Sequence, residues 1–530
     1  MYMPETEKGK AGAKAVRTIG LMAVIIFLAK FMGLFREMLI ANLYGQGMES
    51  DILNSATQIP LLFFDMVLGV AILSTFVPIF NRYLQRDGKA RAMAFASNFI
   101  TAVGGIAVLA AGLGILFAEP LVHLMVPGYA EVPGKVEQTA ALLKILFPSI
   151  AFTAIAYIAV GILQSFGEFT IPSLISVVSN GVMILYLLVF GNRLGLVGVA
   201  VSMLVAWALQ LVIQLPWLKK LGFRYTPRFD IRDPGLKEAA LLALPVLVSS
   251  WVQPLCNVIN MAFGSSLGDG AVSALNWANK IYIIMVGVFA YAITNFIFPR
   301  LSRMGTEEHA EGFAETTRTS VGWIIFIITL VSALFLALSE PIIKVVFERG
   351  AFTAASTAVT ANALFYYSFG MVGYAICEVL NKSFYAIQDG RTPMMTSIFG
   401  VLVNLGSAAL LIQVFHMGVG GLALASAISS TSIAAALLVM MNRRRRGVFS
   451  LPFFWNLVKT LLAGAAAFAA AKLIYLPVSG LWGGGMLWTL AKLCIAAAPA
   501  VAVFLLAAYL LRVNEMRTAI EKLLERKGQK

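Results

Sequence analysis

Runs of about 20 apolar residues, the length at which a helix crosses a bilayer, recur along nearly the whole chain. Fourteen can be drawn, roughly at residues 19–43, 53–80, 94–117, 138–164, 169–190, 194–217, 238–264, 271–299, 319–339, 358–385, 392–415, 418–441, 453–476 and 486–512. Only 12% of the 530 residues are charged, against about 25% in soluble domains. The expected fold class is therefore an all-α polytopic membrane protein with fourteen transmembrane helices.

Loop charge orders these spans. With the N-terminal Lys8, Lys10, Lys14 and Arg17 on the cytoplasmic side, the even-numbered loops are expected to be basic. Arg82, Arg86, Lys89 and Arg91 follow span two, and Lys219, Lys220, Arg224, Arg228 and Arg232 follow span six. Arg300 and Arg303 follow span eight, Arg391 opens span eleven, and four arginines at 443–446 follow span twelve. The odd loops 264–270, 416–418 and 476–485 hold no Lys or Arg; the exceptions are Lys135, Arg193, Lys344 and Arg349. This pattern predicts a multi-pass membrane protein with both termini cytoplasmic. It also accounts for the net charge of +14 without nucleic acid as a partner.

The polar start, followed by an apolar run too long and too charged for a cleaved signal, reads as leading into the first span. Cys256, Cys377 and Cys494 lie far apart in apolar segments, which excludes a disulfide framework or a metal spacing. His123, His309 and His416 are isolated. No nucleotide-binding loop, metal constellation or nucleophile-base pair is legible, so neither an enzyme nor a cofactor is expected.

An internal repeat divides the chain. Gly161-Ile-Leu-Gln-Ser-Phe166, Pro172 and Asn180 recur as Val379-Leu-Asn-Lys-Ser-Phe384, Pro393 and Asn404. Leu194-Gly-Leu-Val-Gly-Val-Ala200 recurs as Met417-Gly-Val-Gly-Gly-Leu-Ala423, and Phe76-Val-Pro78 answers Phe298-Pro299, at an offset of roughly 220 residues. Six spans per copy keep the copies in one orientation, which implies two parallel six-helix lobes plus two C-terminal helices. The expected organisation is an N-terminal segment (1–18), an N-lobe (19–220), a cytoplasmic linker (221–237) and a C-lobe (238–442). A basic loop (443–452), spans thirteen and fourteen (453–512) and an amphipathic tail (513–530) complete it.

Ionisable residues inside spans carry the functional reading. Lys30, Arg36 and Glu37 fall in span one and Asp65 in span two. At mid-membrane each Lys, Arg or Asp costs about 2.5–3.5 kcal/mol, so these groups must face protein or water. Lys30, Gly33 and Glu37 share one helical stripe, with Arg36 about a third of a turn aside. A cation cluster lining a cavity suits a substrate with an anionic end; the plainer reading is local pairing with Glu37 or Asp65. The second copy supplies Gln253, Asn257, Ser273, Asn279 and Lys280, and Lys280 is expected to face Lys30 and Arg36 across the lobes. For Asn and Gln, bonding between helices is as good a reading as substrate contact. Glu378 and Lys382, at i and i+4, read as a structural pair. Pro60, Pro148, Pro245 and Pro254 suggest bends.

Taken together, several segments resemble the MurJ/MviN family of the multidrug/oligosaccharidyl-lipid/polysaccharide exporter superfamily. They are Gly33-Leu-Phe-Arg-Glu37, Phe76-Val-Pro78, Leu215-Pro216 with Lys219-Lys-Leu-Gly-Phe223, Phe347-Glu-Arg-Gly-Ala-Phe-Thr353, and Ser383-Phe-Tyr-Ala-Ile-Gln-Asp-Gly-Arg-Thr-Pro393. The resemblance implies a lipid II flippase that moves undecaprenyl-pyrophosphate-linked peptidoglycan precursor to the outer leaflet by alternating access. It implies a basic central cavity, to which Lys30, Arg36, Lys280 and Arg349 correspond here. Its implied partners are lipid II, membrane lipids and cell-wall synthesis proteins. The chain departs from the family where a pair of arginines often stands in span two, here Phe64-Asp65, and at Ile283, where an acid is usual. Lysine at 30 and 280 keeps charge but lacks the planar fork that grips phosphate. Of the sodium site some relatives use, only Asn404 is matched.

Three further readings stay open: a flippase for another undecaprenyl-linked glycan, a drug/cation antiporter, and a non-transporting scaffold for cell-wall synthesis. An antiporter for organic cations favours acidic cavities, and here Glu37 and Asp65 are outnumbered by bases.

Overall fold

The computed structural model describes residues 5–69, 72–304, 310–445, 447–481, 483 and 485–528, and these form helices and no strand. By internal contacts the chain divides into two compact units, Met1–Ser266 and Leu267–Lys530.

In the first unit the helices are α1 (Glu5–Tyr44), α2 (Met48–Phe64), α3 (Val77–Arg86), α4 (Gly88–Leu116), α5 (Ala118–Met125) and α6 (Lys135–Leu146). They continue as α7 (Ser149–Ser165), α8 (Thr170–Phe190), α9 (Gly195–Val212), α10 (Leu215–Lys220), α11 (Pro234–Ser250) and α12 (Val252–Ser265). The second unit holds α13 (Ala271–Arg303), α14 (Ala310–Phe347), α15 (Ala354–Ser368), α16 (Met371–Ala386) and α17 (Arg391–Ala409). It ends with α18 (Gly418–Arg444), α19 (Leu451–Ser479), α20 (Met486–Leu510) and α21 (Asn514–Gly528).

Among the described residues ten helices are long and apolar enough to cross a membrane, and α15 with α16, bent by 49°, makes an eleventh. The remaining expected spans are built differently. Span one is the continuous α1. Span two passes from α2 into two π-helical turns, Asp65–Gly69 and Ile72–Phe76, before α3. Pro78 at the start of α3 has no N–H for a carbonyl in the preceding turn, which favours such widening. Span seven breaks at Trp251 between α11 and α12, where Pro254 has no N–H for the carbonyl of Ser250. Pro341 likewise accompanies non-helical backbone at Leu338 inside α14.

The repeat assigned span seven to the second lobe, whereas its packing is with the first unit. Arg82 makes a bidentate pair with Glu238 at 2.8 Å, and Arg91 holds Asp233 at 2.7 Å. At the other end of span seven, the Ser265 hydroxyl accepts the Gly128 N–H at 3.0 Å.

These contacts also sort the loops. Loop two–three meets the span six–seven linker through Arg82 and Arg91. Loop ten–eleven meets loop twelve–thirteen through Asp389 and Arg444, 3.2 Å apart. Odd loops meet odd loops: Lys135 pairs with Asp51 at 3.0 Å, and Tyr129 donates to the Asp51 carbonyl at 3.1 Å. Within each unit the even loops therefore share one face, as an alternating chain requires.

The repeat is visible in turn geometry as well. Gly195 and Gly418 open α9 and α18 with φ of 56° and 61°. Helices α7 and α16 both end with an N–H reaching five residues back: Glu168 to Leu163 and Asp389 to Phe384, each at 2.9 Å. The left-handed position before each acid is Gly167 in the first copy and Gln388 in the second. Each acid then caps the next helix, Glu168 taking the Thr170 N–H and Asp389 the Thr392 N–H.

Small residues set the packing of the last spans. Ala463, Ala467 and Ala471 of α19 and Ala496, Ala500 and Ala508 of α20 are fully buried, in clusters with Phe326, Ala333 and Ala337 of α14. In lipid, where no hydrophobic force drives helices together, close approach along such stripes supplies the association.

Candidate functional site

Arg36 stands in the C-terminal quarter of α1 between two acceptors. One terminal nitrogen meets Glu37 Oε1 at 2.6 Å and the other meets Asn180 Oδ1 of α8 at 3.0 Å. Asn180 is itself held, its amide donating to the carbonyls of Ser176 at 2.9 Å and Ala29 at 3.3 Å. The amide thus fixes α8 to α1 and aims its oxygen at the guanidinium. Gly33 faces the same amide, where a Cβ would stand at ordinary contact distance, 3.7 Å. Arg36 keeps a third donor, Nε, buried and without a hydrogen-bond partner among the described residues. Leaving a buried donor unmet costs about 1–3 kcal/mol, so the guanidinium retains capacity for another acceptor.

Lys30, about 9 Å from Arg36 along the axis at 1.5 Å per residue, is exposed and makes no hydrogen bond or ion pair among the described residues. With Glu37 buried beside Arg36, two cations and one anion leave this face of α1 one positive charge in excess. Local pairing and a net cationic surface thus coexist.

Asp65 lies half-buried at the start of the first π-turn, where Phe64 packs against the Tyr157 ring with centroids 5.5 Å apart. No ion pair joins Asp65 to Lys30 or Arg36 among the described residues. The neighbouring Met66 carbonyl accepts the indole N–H of Trp251 at 2.6 Å, linking the π-turn to the break in span seven. Asn257 is half-buried on α12. The side chains of Gln253, Ser249, Ser250, Arg300 and Arg303 lie outside the described residues, as do those of the N-terminal Lys8, Lys10, Lys14 and Arg17. His309 and Arg446 lie outside them too.

In the second unit Lys280 is half-buried on α13, one residue after the half-buried Asn279. Ser273 is fully buried and donates to the Gly270 carbonyl at 3.1 Å within the first turn of α13. Arg349 directs Nη2 to the carbonyls of Val345 and Val346 at 2.6 and 2.7 Å, capping the end of α14. Glu378 and Lys382 are half-buried on α16, one turn apart.

Apolar space adjoins these elements. A cavity of about 690 Å³ opens between α14, α16, α18 and α19, lined among others by Leu336, Phe369, Ile376, Leu438, Phe454 and Phe468. Gly373 lines it, and at Gly370 and Gly373 a Cβ would stand 2.7 Å from the Cα of Ala427 and of Thr431, so both glycines let α16 and its start approach α18 closely.

Two features escaped the sequence. Asn180 was legible as a repeated residue but not as the partner of Arg36, because nothing local marks a contact across 144 residues. Lys135, read as an exception to loop charge, is fully buried against Asp51 and lies 4.1 Å from the Tyr129 ring centroid.

Comparison with known proteins gives concordant results. A family model described as lipid II flippase MurJ matches residues 40–491. A probable lipid II flippase MurJ of Vibrio cholerae is 28% identical over 457 residues, covering 84% of this chain and 86% of that protein. One from Haemophilus influenzae is 26% identical over 470 residues, covering 86% and 91%. Among solved structures, a lipid II flippase MurJ in an inward closed conformation aligns with a TM-score of 0.76 at 22% identity, covering 93% of this chain and 99% of that one. An inward-facing multidrug resistance MATE family transporter aligns at 0.66 and 17% identity, covering 81% and 98%.

Proposed function

Since the chain belongs to the lipid II flippase MurJ family, we propose that it carries lipid II, the undecaprenyl-pyrophosphate-linked peptidoglycan precursor, from the cytoplasmic to the outer leaflet by alternating access. The observation that carries this reading is the guanidinium of Arg36, retained inside a spanning helix and oriented by Asn180, with the exposed ammonium of Lys30 on the same helix. An unpaired pyrophosphate cannot cross hydrocarbon, and fixed cations offset most of that penalty. In the second unit Lys280, with Arg349 beyond the end of α14, is the corresponding candidate.

Glu37 has a defined part in this scheme. A carboxylate against Arg36 holds the guanidinium until a phosphate oxygen competes for it, so binding exchanges one acceptor for another and leaves no bare charge between loads. The polyprenyl tail needs only an apolar path, and the cavity between α14, α16, α18 and α19 suits it. No covalent step is required, which fits a transporter and not an enzyme. The basic even loops favour cytoplasmic termini, and they offer a surface for cell-wall synthesis proteins.

The test is a leaflet-specific assay for lipid II in cells depleted of every other flippase. Arrival of precursor in the outer leaflet should stop on loss of this protein and return with the wild-type chain. Normal arrival without it overturns the assignment. Combined Lys30→Ala, Arg36→Ala and Lys280→Ala changes should abolish transport in a folded protein; full activity would favour a scaffold.

A further inference from the structure

A second apolar groove, of about 800 Å³, lies in the first unit between α4, the second π-turn, α11 and the segment leading into α11. That segment, residues 223–230, is not helical. It reads Arg224-Tyr-Thr-Pro-Arg-Phe-Asp-Ile-Arg232, so basic and apolar side chains interleave. Phe229 and Ile231 line the groove yet are 66% and 65% exposed, as are Ile106 and Leu109 of α4 at 50% and 63%. Lys237 stands among the lining residues.

The segment is built in place. Asn98, 1% exposed, donates to the Asp230 carbonyl at 2.9 Å and accepts the Asp230 N–H at 2.8 Å. The Thr226 N–H reaches Ser97 Oγ at 3.4 Å, and the Tyr225 hydroxyl meets Thr101 Oγ1 at 3.0 Å. These bonds hold Phe229 and Ile231 over the groove although no protein covers their outer faces.

Charge indicates what covers them. Between residues 219 and 238 stand Lys219, Lys220, Arg224, Arg228, Arg232 and Lys237 against Asp230, Asp233 and Glu238. Asp233 and Glu238 are matched from outside the segment by Arg91 and Arg82, and Asp230 by Arg228 at 3.1 Å. Arg224, Arg232, Lys219, Lys220 and Lys237 remain as positive excess beside a groove that is almost wholly apolar. Apolar side chains set next to cations at the end of a spanning helix are the features of an element lying at the headgroup boundary.

We propose that this groove and the Arg224–Arg232 segment form a binding site for an anionic diacyl phospholipid of the adjoining leaflet, its acyl chain in the groove and its phosphate against the arginines. None of Lys30, Arg36, Lys280 and Arg349 lines this groove.

The test uses the full-length protein, purified and delipidated in detergent, with native mass spectrometry reading bound lipid. Wild type should bind phosphatidylglycerol at least about tenfold more tightly than phosphatidylcholine. A variant with Arg224→Gln, Arg228→Gln and Arg232→Gln should lose that preference while keeping its unfolding temperature. Gly105→Trp should exclude both lipids, because Gly105 lines the groove and a Cβ there meets nothing within 4 Å. Should that variant misfold, Gly105→Leu replaces it. Equal affinity of wild type for the two lipids, or an undiminished preference in the triple variant, would overturn the proposal. So would displacement of phosphatidylglycerol by equimolar undecaprenyl phosphate, which would assign the groove to the carrier lipid.

Discussion

The ammonium of Lys135 lies 3.0 Å from a carboxylate oxygen of Asp51, with neither side chain more than 1% exposed. Removing one partner of such a pair strands a buried charge, at about 3–5 kcal/mol. Asp51→Ala should therefore lower stability by that amount in detergent unfolding. Replacing both together, as Asp51→Leu with Lys135→Met, should recover most of it, because the pair's own desolvation disappears as well.

Arg36 combines a charged bond to Glu37 with a neutral acceptor at Asn180. Hydrogen bonds to charged groups contribute about 1.5–3 kcal/mol, so Arg36→Ala should slow flipping roughly 10- to 150-fold. Arg36→Lys, which keeps charge without the fork, should fall between it and wild type. Asn180→Leu should leave the charge and slow flipping by roughly fivefold, about 1 kcal/mol of lost orientation. Since Arg36→Ala alone strands Glu37, the pair Arg36→Ala with Glu37→Gln distinguishes lost transport from lost stability: the double variant should unfold later than the single one and flip no faster.

Gln388 occupies the left-handed backbone region at φ 59° where the first repeat has Gly167 at φ 80°. A side chain there costs about 1–2 kcal/mol. Gln388→Gly should raise stability by up to about 1 kcal/mol, offset in part by the freer unfolded chain. An unfolding midpoint at or below wild type would contradict this.

Asp389 is nearly buried, which by itself raises its pKa. The Thr392 backbone N–H and hydroxyl, and then Arg444, outweigh burial and hold the carboxyl below its usual value. A depressed folded pKa adds stability that is present above the unfolded value, about 3.9, and lost as pH falls through the folded one. Asp389→Asn should therefore be less stable than wild type at pH 7, with the gap closing below about pH 4. Arg444 is 65% exposed, so Arg444→Gln should have the smaller effect and diminish with salt.

What the sequence made legible follows from what is local. Apolar run length and loop charge pointed to the helical membrane class, and the repeat aligned 161–166 with 379–384, because these signals lie in residues a few positions apart; the paired turns that follow at Gly167 and Gln388 emerged only in the structure. Arg36 and Lys30 stood out as charges in an apolar setting. Asn180 as the support of Arg36, and Asp51 as the answer to Lys135, depend on helices meeting across 144 and 84 residues, where one sequence holds no pairing signal. Arg349 shows the converse: its cation was conspicuous, while its bonds to Val345 and Val346 depend on where α14 ends.

The indole of Trp251 has a wider consequence. A π-turn loosens the backbone ladder of span two, and a broken helix does the same to span seven; the N–H of one defect meets a carbonyl of the other at Met66. The indole therefore ties the two irregular segments at one point, and straightening or sliding either helix alone would break that bond. A change in the shape of span two at Met66 is thereby felt at the hinge of span seven, and the reverse holds.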